Sequence, residues 1–232
     1  MMGIKDRERW MALSAWASGV QLEPADGGFL ARLHDGSPAL LRPVTPGDKI
    51  RIEEGLAHMS PRSVYYRFGR QLQRLSEREL EYFTEVDQVD HIAWGAVDPD
   101  HPSEAGLGIA RLIRESQPPW RAEVALTVID SHHGLGLGTV LLATLHALAR
   151  IRGIRTLRGC VLAENHLVVA WFQRLGARPV ESDCQVILDW DLADSRPETP
   201  SAQRFEAWIR QIGKLLETGS GLASDGSDRT AQ

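Results

Sequence analysis

The chain has 232 residues, 43% of them hydrophobic and 25% charged, with a formal net charge of −5. That length can bury one sizeable core, as a single domain or a domain with appendages. The mild, scattered charge offers no clustered basic surface, so neither nucleic acid nor an anionic membrane is expected as a partner. No apolar stretch approaches the roughly 20 residues needed to cross a bilayer. The first nine residues carry both charge signs and no apolar export segment, so a cytoplasmic protein is expected.

Composition separates three zones: an N-terminal helical appendage over 1–26, a main domain over 27–193, and a C-terminal tail over 194–232. In the first, Trp10, Leu13, Trp16 and Ala17 recur at helical spacing between Arg7 and Val20. In the main zone, Phe29 to Leu33 and Ala39 to Val44 flank Asp35-Gly36-Ser37, which reads as a hairpin. Thr45-Pro46-Gly47-Asp48 offers an N-cap, a proline at the first helical position and an acid at the third. Ser76 to Glu79 forms a capping box before Leu80, Tyr82 and Phe83. Strands are predicted over Ile92 to Val97, Leu107 to Ile113 and Glu123 to Ile129, the last apolar enough to be covered on both faces. A helix from Gly136 to Arg152, a strand from Thr156 to Leu162, a helix from Asn165 to Leu175 and two closing strands (Arg178 to Val180, Gln185 to Trp190) complete a mixed α/β order. Cys160, inside a strand, is expected to be a small core residue, and neither it nor Cys184 has a metal-like or redox-like partner nearby. The tail carries one short helical pattern through Phe205, Trp208, Ile209, Ile212, Leu215 and Leu216. It then runs into Gly, Ser and Asp residues with too little apolar surface to offset their ordering entropy.

The run Val128 to Thr139 carries the most chemistry. A strand enters it and a helix leaves it, with Gly134, Gly136 and Gly138 between. Glycines at a helix start let a ligand approach main-chain N–H groups, and the unpaired donors and helix dipole favour an anion such as a pyrophosphate. The spacing lacks the third glycine of a dinucleotide fingerprint and the Gly-Lys-Ser/Thr of a P-loop. A purely structural strand–turn–helix, or an unrelated nucleotide-binding α/β protein, stays open at this point.

This run resembles the cofactor motif of the GNAT acetyltransferase family: Gln or Arg, two residues, Gly, one residue, then Gly or Ala. Gly136 and Gly138 hold the two small positions, and His133 stands where Gln or Arg is usual. Downstream, Asn165 to Ala177 is similar to the family's Asn-to-Gly-Phe helix, with Asn165 as N-cap and Val168, Trp171, Phe172 and Leu175 on one apolar face. The resemblance covers about residues 40 to 191. It implies a three-layer α+β fold with a mixed, mostly antiparallel central sheet and helices on both faces. It also implies acetyl-CoA as acyl donor and no metal. The cofactor would lie against Leu126, Val128, His133, Gly134, Leu135, Gly136, Leu137, Gly138, Thr139, Asn165 and Phe172.

Acyl transfer to an amine needs a neutral amine, a polarised thioester carbonyl and a proton for the departing thiolate. Glu123, a charged residue opening an otherwise apolar strand, fits the place where the family often keeps its base; the alternative is a solvated strand-end carboxylate. The carbonyl would dock on main-chain N–H groups near Leu126 to Val128. Phe172 occupies the position of the family's usual proton-donating Tyr and has no proton to give. The segment Met59 to Phe68, with Leu75-Ser76 and Asp87 to His91, resembles the bacterial protein-lysine acetyltransferase subgroup. Tyr65, Tyr66 and Phe68 are equally readable as core or as acceptor walls. The reading is therefore an acetyl-CoA-dependent N-acetyltransferase acting on a primary amine, a protein lysine ahead of a small amine. The alternative is a non-catalytic acyl-CoA-binding regulatory module.

Overall fold

The structure, a computed structural model, describes residues 21–180, 185–193 and 197–218. The helix expected between Arg7 and Val20, Cys184 and the polar C-terminal end lie outside the described residues. Nine strands form one sheet: β1 (Gln21–Ala25), β2 (Gly28–Arg32), β3 (Pro38–Pro43), β4 (His91–Val97), β5 (Gly108–Arg114), β6 (Arg121–Val128), β7 (Thr156–Val161), β8 (Arg178–Val180) and β9 (Val186–Asp191). Their order is β1-β2-β3-β4-β5-β6-β7-β9-β8. Every pairing is antiparallel except β6 with β7. The helices are α1 (Lys49–Ala57), α2 (Pro61–Phe68), α3 (Glu77–Thr84), α4 (Leu137–Ile151), α5 (His166–Arg174) and α6 (Pro200–Thr218).

Local chemistry accounts for most boundaries. Asp35 accepts from the main chain and hydroxyl of Ser37 and closes the β2–β3 hairpin, with Gly36 at φ +86°. Ser76 and Glu79 satisfy one another's backbone N–H groups at the start of α3, as the capping box predicts. Thr45 and Asp48 do the same at a short 3-10 turn that leads into α1. The single parallel pairing needs a crossover, and α4 supplies it. Its side chains from Thr139 to Ala149 are all buried, against β4, β5 and β6 on one side and α6 on the other. The opposite face of these strands carries α1, α2 and α3.

The main departures from expectation have physical causes. The sheet begins at Gln21, inside the zone read as an N-terminal appendage, because Gln21–Ala25 pairs in full with β2. The short tail pattern is a 19-residue helix: Ala202, Phe205, Ile209, Ile212 and Leu216 alternate at three and four residues and bury one stripe against the core. Cys160 is exposed, not core. On β7 the buried residues are Leu157, Gly159 and Val161, and Cys160 points to the other, less covered face. The run Ala125 to Ile129 is not covered on both faces; Ala125, Leu126 and Thr127 are half-buried because β7 has diverged there.

Gly159 is required by packing. A Cβ at this position would stand 2.7 Å from Cε2 of Phe172, a ring itself held by Trp190 at 4.7 Å. Gly159→Ala is expected to lower unfolding free energy by about 1–3 kcal/mol, read as an earlier urea midpoint with unchanged slope. An unshifted midpoint would show that the ring yields freely.

His146, inside α4, is 2% exposed and lies edge-on to Trp190 and Phe205 at 5.2 and 4.9 Å. Burial, assisted by the Arg150 charge, pulls its pKa down to about 3. Below about pH 6.5 the unfolded chain takes up this proton and the folded one does not, so stability falls as pH drops from 6.5 towards 3. His146→Leu is expected to flatten that part of the pH–stability curve in urea titrations; an unchanged slope would remove His146 as its source.

Candidate active site

The strand-to-helix turn after β6 is shaped to present main-chain donors. Gly134 and Gly136 hold φ of +78° and +93°, and Gly136 is the N-cap of the 15-residue α4. The N–H groups of Thr139 and Val140 donate to the Gly136 carbonyl, and that of His133 donates to Asp130. Among the described residues, no acceptor meets the N–H groups of Gly134, Leu135, Gly136, Leu137 or Gly138. Five consecutive free donors at the positive end of a helix form a concave anion cradle. The side chains of Leu137 and Thr139 are buried, so a ligand here meets backbone.

Three side chains hold this turn, two of them without a signal in the sequence. The His133 ring folds back, Nε2 lying 2.8 Å from the Val128 carbonyl, which braces the turn from inside. His34, at the tip of the β2–β3 hairpin, donates its main-chain N–H to Leu135 O at 3.1 Å, and its ring meets the Gly134 carbonyl. Asp130 accepts from the Ser63 hydroxyl at 2.6 Å, from the Ser60 hydroxyl at 3.3 Å and from the Ser60 main chain, tying α2 to the turn. Burial raises its carboxyl, but these hydrogen bonds outweigh that and hold it below the usual carboxylate range.

Beside the cradle the sheet opens. β6 and β7 pair only from Arg121 to Val124 and from Thr156 to Gly159. From Ala125 to Val128 the β6 edge has no β7 partner, so its outward main-chain groups, including those at Leu126 and Val128, are left for another extended chain. Glu123 is exposed and lies where the two strands begin to part. On its face of the sheet, antiparallel register stacks three rows: His91, Ile113 and Glu123; then Ala93, Arg111 and Ala125; then Gly95, Ile109 and Thr127.

α5 forms the far wall. Trp171 lies over Gly138, where a Cβ would come within 3.4 Å of the indole. Asn165 is at the N-cap position but does not cap: its ψ of 57° departs from the extended conformation that aims such a side chain at the helix, and its carboxamide makes no hydrogen bond among the described residues. Phe172 turns into the core at 5% exposure, between Gly159 and Trp190. Tyr65 and Tyr66 reach from α2 to Glu164, next to Asn165, at 3.3 and 3.4 Å. Phe68 instead packs on Phe83 in a small cluster with α1 and α3.

A helix-start cradle, a parted pair of parallel strands and a helical wall across the gap frame the site, and the chain belongs to the Acetyltransferase (GNAT) family, whose profile matches residues 60–177. It is 35% identical over 152 residues to Acetyltransferase Pat of Mycolicibacterium smegmatis, a match covering 64% of this chain and 44% of that protein. The chain therefore spans less than half the length of that relative. An acetyltransferase of Pseudomonas aeruginosa is 28% identical over 137 residues, covering 59% of this chain and 73% of the relative. Among solved structures, the GNAT domain of S. lividans PAT superposes with a TM-score of 0.65 at 32% identity, covering 70% of this chain and 95% of that one.

Proposed function

We propose that the chain transfers an acetyl group from acetyl-CoA to a primary amine, with a protein lysine ahead of a small amine. The observation that carries this reading is the run of free N–H donors from Gly134 to Gly138 beside an unpaired β6 edge. The donors suit the pyrophosphate of coenzyme A, and the edge suits the amide-bearing pantetheine arm, with the free Asn165 carboxamide on its other side. The lysine preference rests on the resemblance of Met59 to Phe68 and Asp87 to His91 to the bacterial protein-lysine acetyltransferase subgroup.

In this reading Glu123 accepts a proton from the ammonium acceptor, directly or through water, and frees the nitrogen lone pair. That nitrogen forms a C–N bond at the thioester carbonyl, whose oxygen is polarised by a main-chain N–H between Leu126 and Val128. The C–S bond then breaks. The nitrogen releases its second proton, and the thiolate is protonated by water, since Phe172 has no proton to give. The products are the N-acetyl amine and coenzyme A thiol.

The test is a titration with acetyl-CoA followed by measurement of free thiol against lysine peptides, polyamines and amino acids. Saturable binding and amine-dependent thiol release are expected. No binding at millimolar coenzyme A would end the reading. Binding without product from any amine would favour the non-catalytic acyl-CoA-binding module, the reading that Phe172 and His133, standing where the family usually has Tyr and Gln or Arg, suit.

A further inference from the structure

On the sheet face opposite α4, a cleft open to solvent runs between β4–β6 and α1–α3. Four arginines line it, Arg42, Arg51, Arg67 and Arg111, against a single carboxylate, Asp48, in a chain of net charge −5. Asp48 is fully engaged at one end. Arg42 grips it with two nitrogens at 2.6 and 2.8 Å, Arg51 lies 3.2 Å away, and the Thr45 main chain donates to it at 2.9 Å. Burial raises this carboxyl, yet the Arg42 and Thr45 contacts outweigh it and hold the pKa at about 2.

At the other end the cations have no close counter-charge. Among the described residues no carboxylate lies within ion-pair distance of Arg67 or Arg111. Arg111 is 3% exposed, its guanidinium 4.1 Å over the Phe83 ring. Its five donors find only the Phe83 carbonyl at 3.5 Å and the His91 Nε2 at 3.4 Å, both at the outer limit of a hydrogen bond. Burial, followed by the neighbouring Arg67 charge, pulls its pKa down to about 9, so it stays charged at neutral pH. Arg67 is likewise lowered by burial, and the Glu123 charge only partly offsets this. A buried guanidinium with a second, partly buried one beside it is costly unless an anion joins them. Ala93 and Ala125 flank Arg111 in its row, and Arg111 and Glu123 are diagonal cross-strand neighbours roughly 7–8 Å apart. The remaining walls, among them Ile52, Met59, Phe68 and Ile109, are apolar and suit a short methylene chain.

We propose that this cleft receives a carboxylate borne by one of the two reactants, with Arg67 and Arg111 as its ligands and as specificity-determining residues. The inference rests on the acetyl-transfer reading. The carboxylate belongs either to the amine acceptor or to the far end of the acyl chain; in both cases it lies one sheet row from Glu123 and the reacting carbon.

The test compares matched reactants with the full chain. One arm uses acetyl-CoA with 5-aminopentanoate against pentylamine; the other uses pentylamine with succinyl-CoA against butyryl-CoA. In one arm, kcat/KM is expected to favour the carboxylate by about tenfold or more, as expected for hydrogen bonds to a charged group, and that arm names the carrier. In Arg67→Gln the ratio is expected to collapse towards one. A ratio near one in both arms, or a preference that survives Arg67→Gln, would overturn the proposal. A separate titration with glutarate needs no turnover: saturable binding lost in Arg67→Gln supports the site, and no saturable binding overturns it. Failure of the acetyl-transfer reading appears elsewhere, as absent binding of coenzyme A.

Discussion

Glu123→Gln is expected to lower kcat by about 10²- to 10⁴-fold, the range for losing a positioned general base, while acetyl-CoA affinity stays near that of the parent. The side chain is exposed where β6 and β7 part, away from the cradle formed by Gly134 to Gly138. Glutamine keeps the shape and cannot take the amine's proton, so the loss should lie in turnover. Glu123 has a second relationship, its charge acting on the partly buried Arg67 guanidinium. A purely electrostatic role would move stability and leave turnover alone. Steady-state rates alongside an acetyl-CoA titration separate the two, and full activity in the variant would remove Glu123 from the chemistry.

Gly136→Asp is expected to weaken acetyl-CoA binding by about a hundredfold or more, with kcat at saturating donor far less affected. At φ +93° a side chain costs about 1–2 kcal/mol of backbone strain. The new carboxylate would also compete for the N–H groups that face the ligand and repel its phosphates. Gly136→Ala, which adds strain without charge, should fall between parent and Asp by isothermal titration. Equal affinity in all three proteins would mean that the phosphates bind elsewhere.

The strands and helices that could be read in advance are those whose signals are local. Hairpin, capping boxes, the three-and-four spacing of apolar residues in α4 and the apolar face of α5 depend on residues within a few positions of one another, and the observed boundaries of α4 and of β4 to β7 lie within two residues of expectation. The cradle was legible because its glycines adjoin in sequence. What holds it was not. His34 is about a hundred positions before Gly134, and Ser60 is 70 before Asp130; only folding brings them together. Arg67 and Arg111 were invisible for the same reason, since each looks like a surface cation until α2 lies over β5. Cys160 misled because a strand pattern states which residues alternate but not which face is covered. Asn165 shows the converse: its position was right, yet the backbone angle that decides whether a carboxamide caps or stays free is set by the preceding loop.

α6 lies wholly beyond residues 60–177, yet Phe205, Ile209 and Ile212 are buried with the side chains of α4, the helix whose first turn forms the cradle. The profile match thus ends short of an element that completes the core. A fragment trimmed to residues 60–177 would bare an oily stripe directly behind the first turn of α4, and its failure to bind a ligand would say nothing about that turn itself.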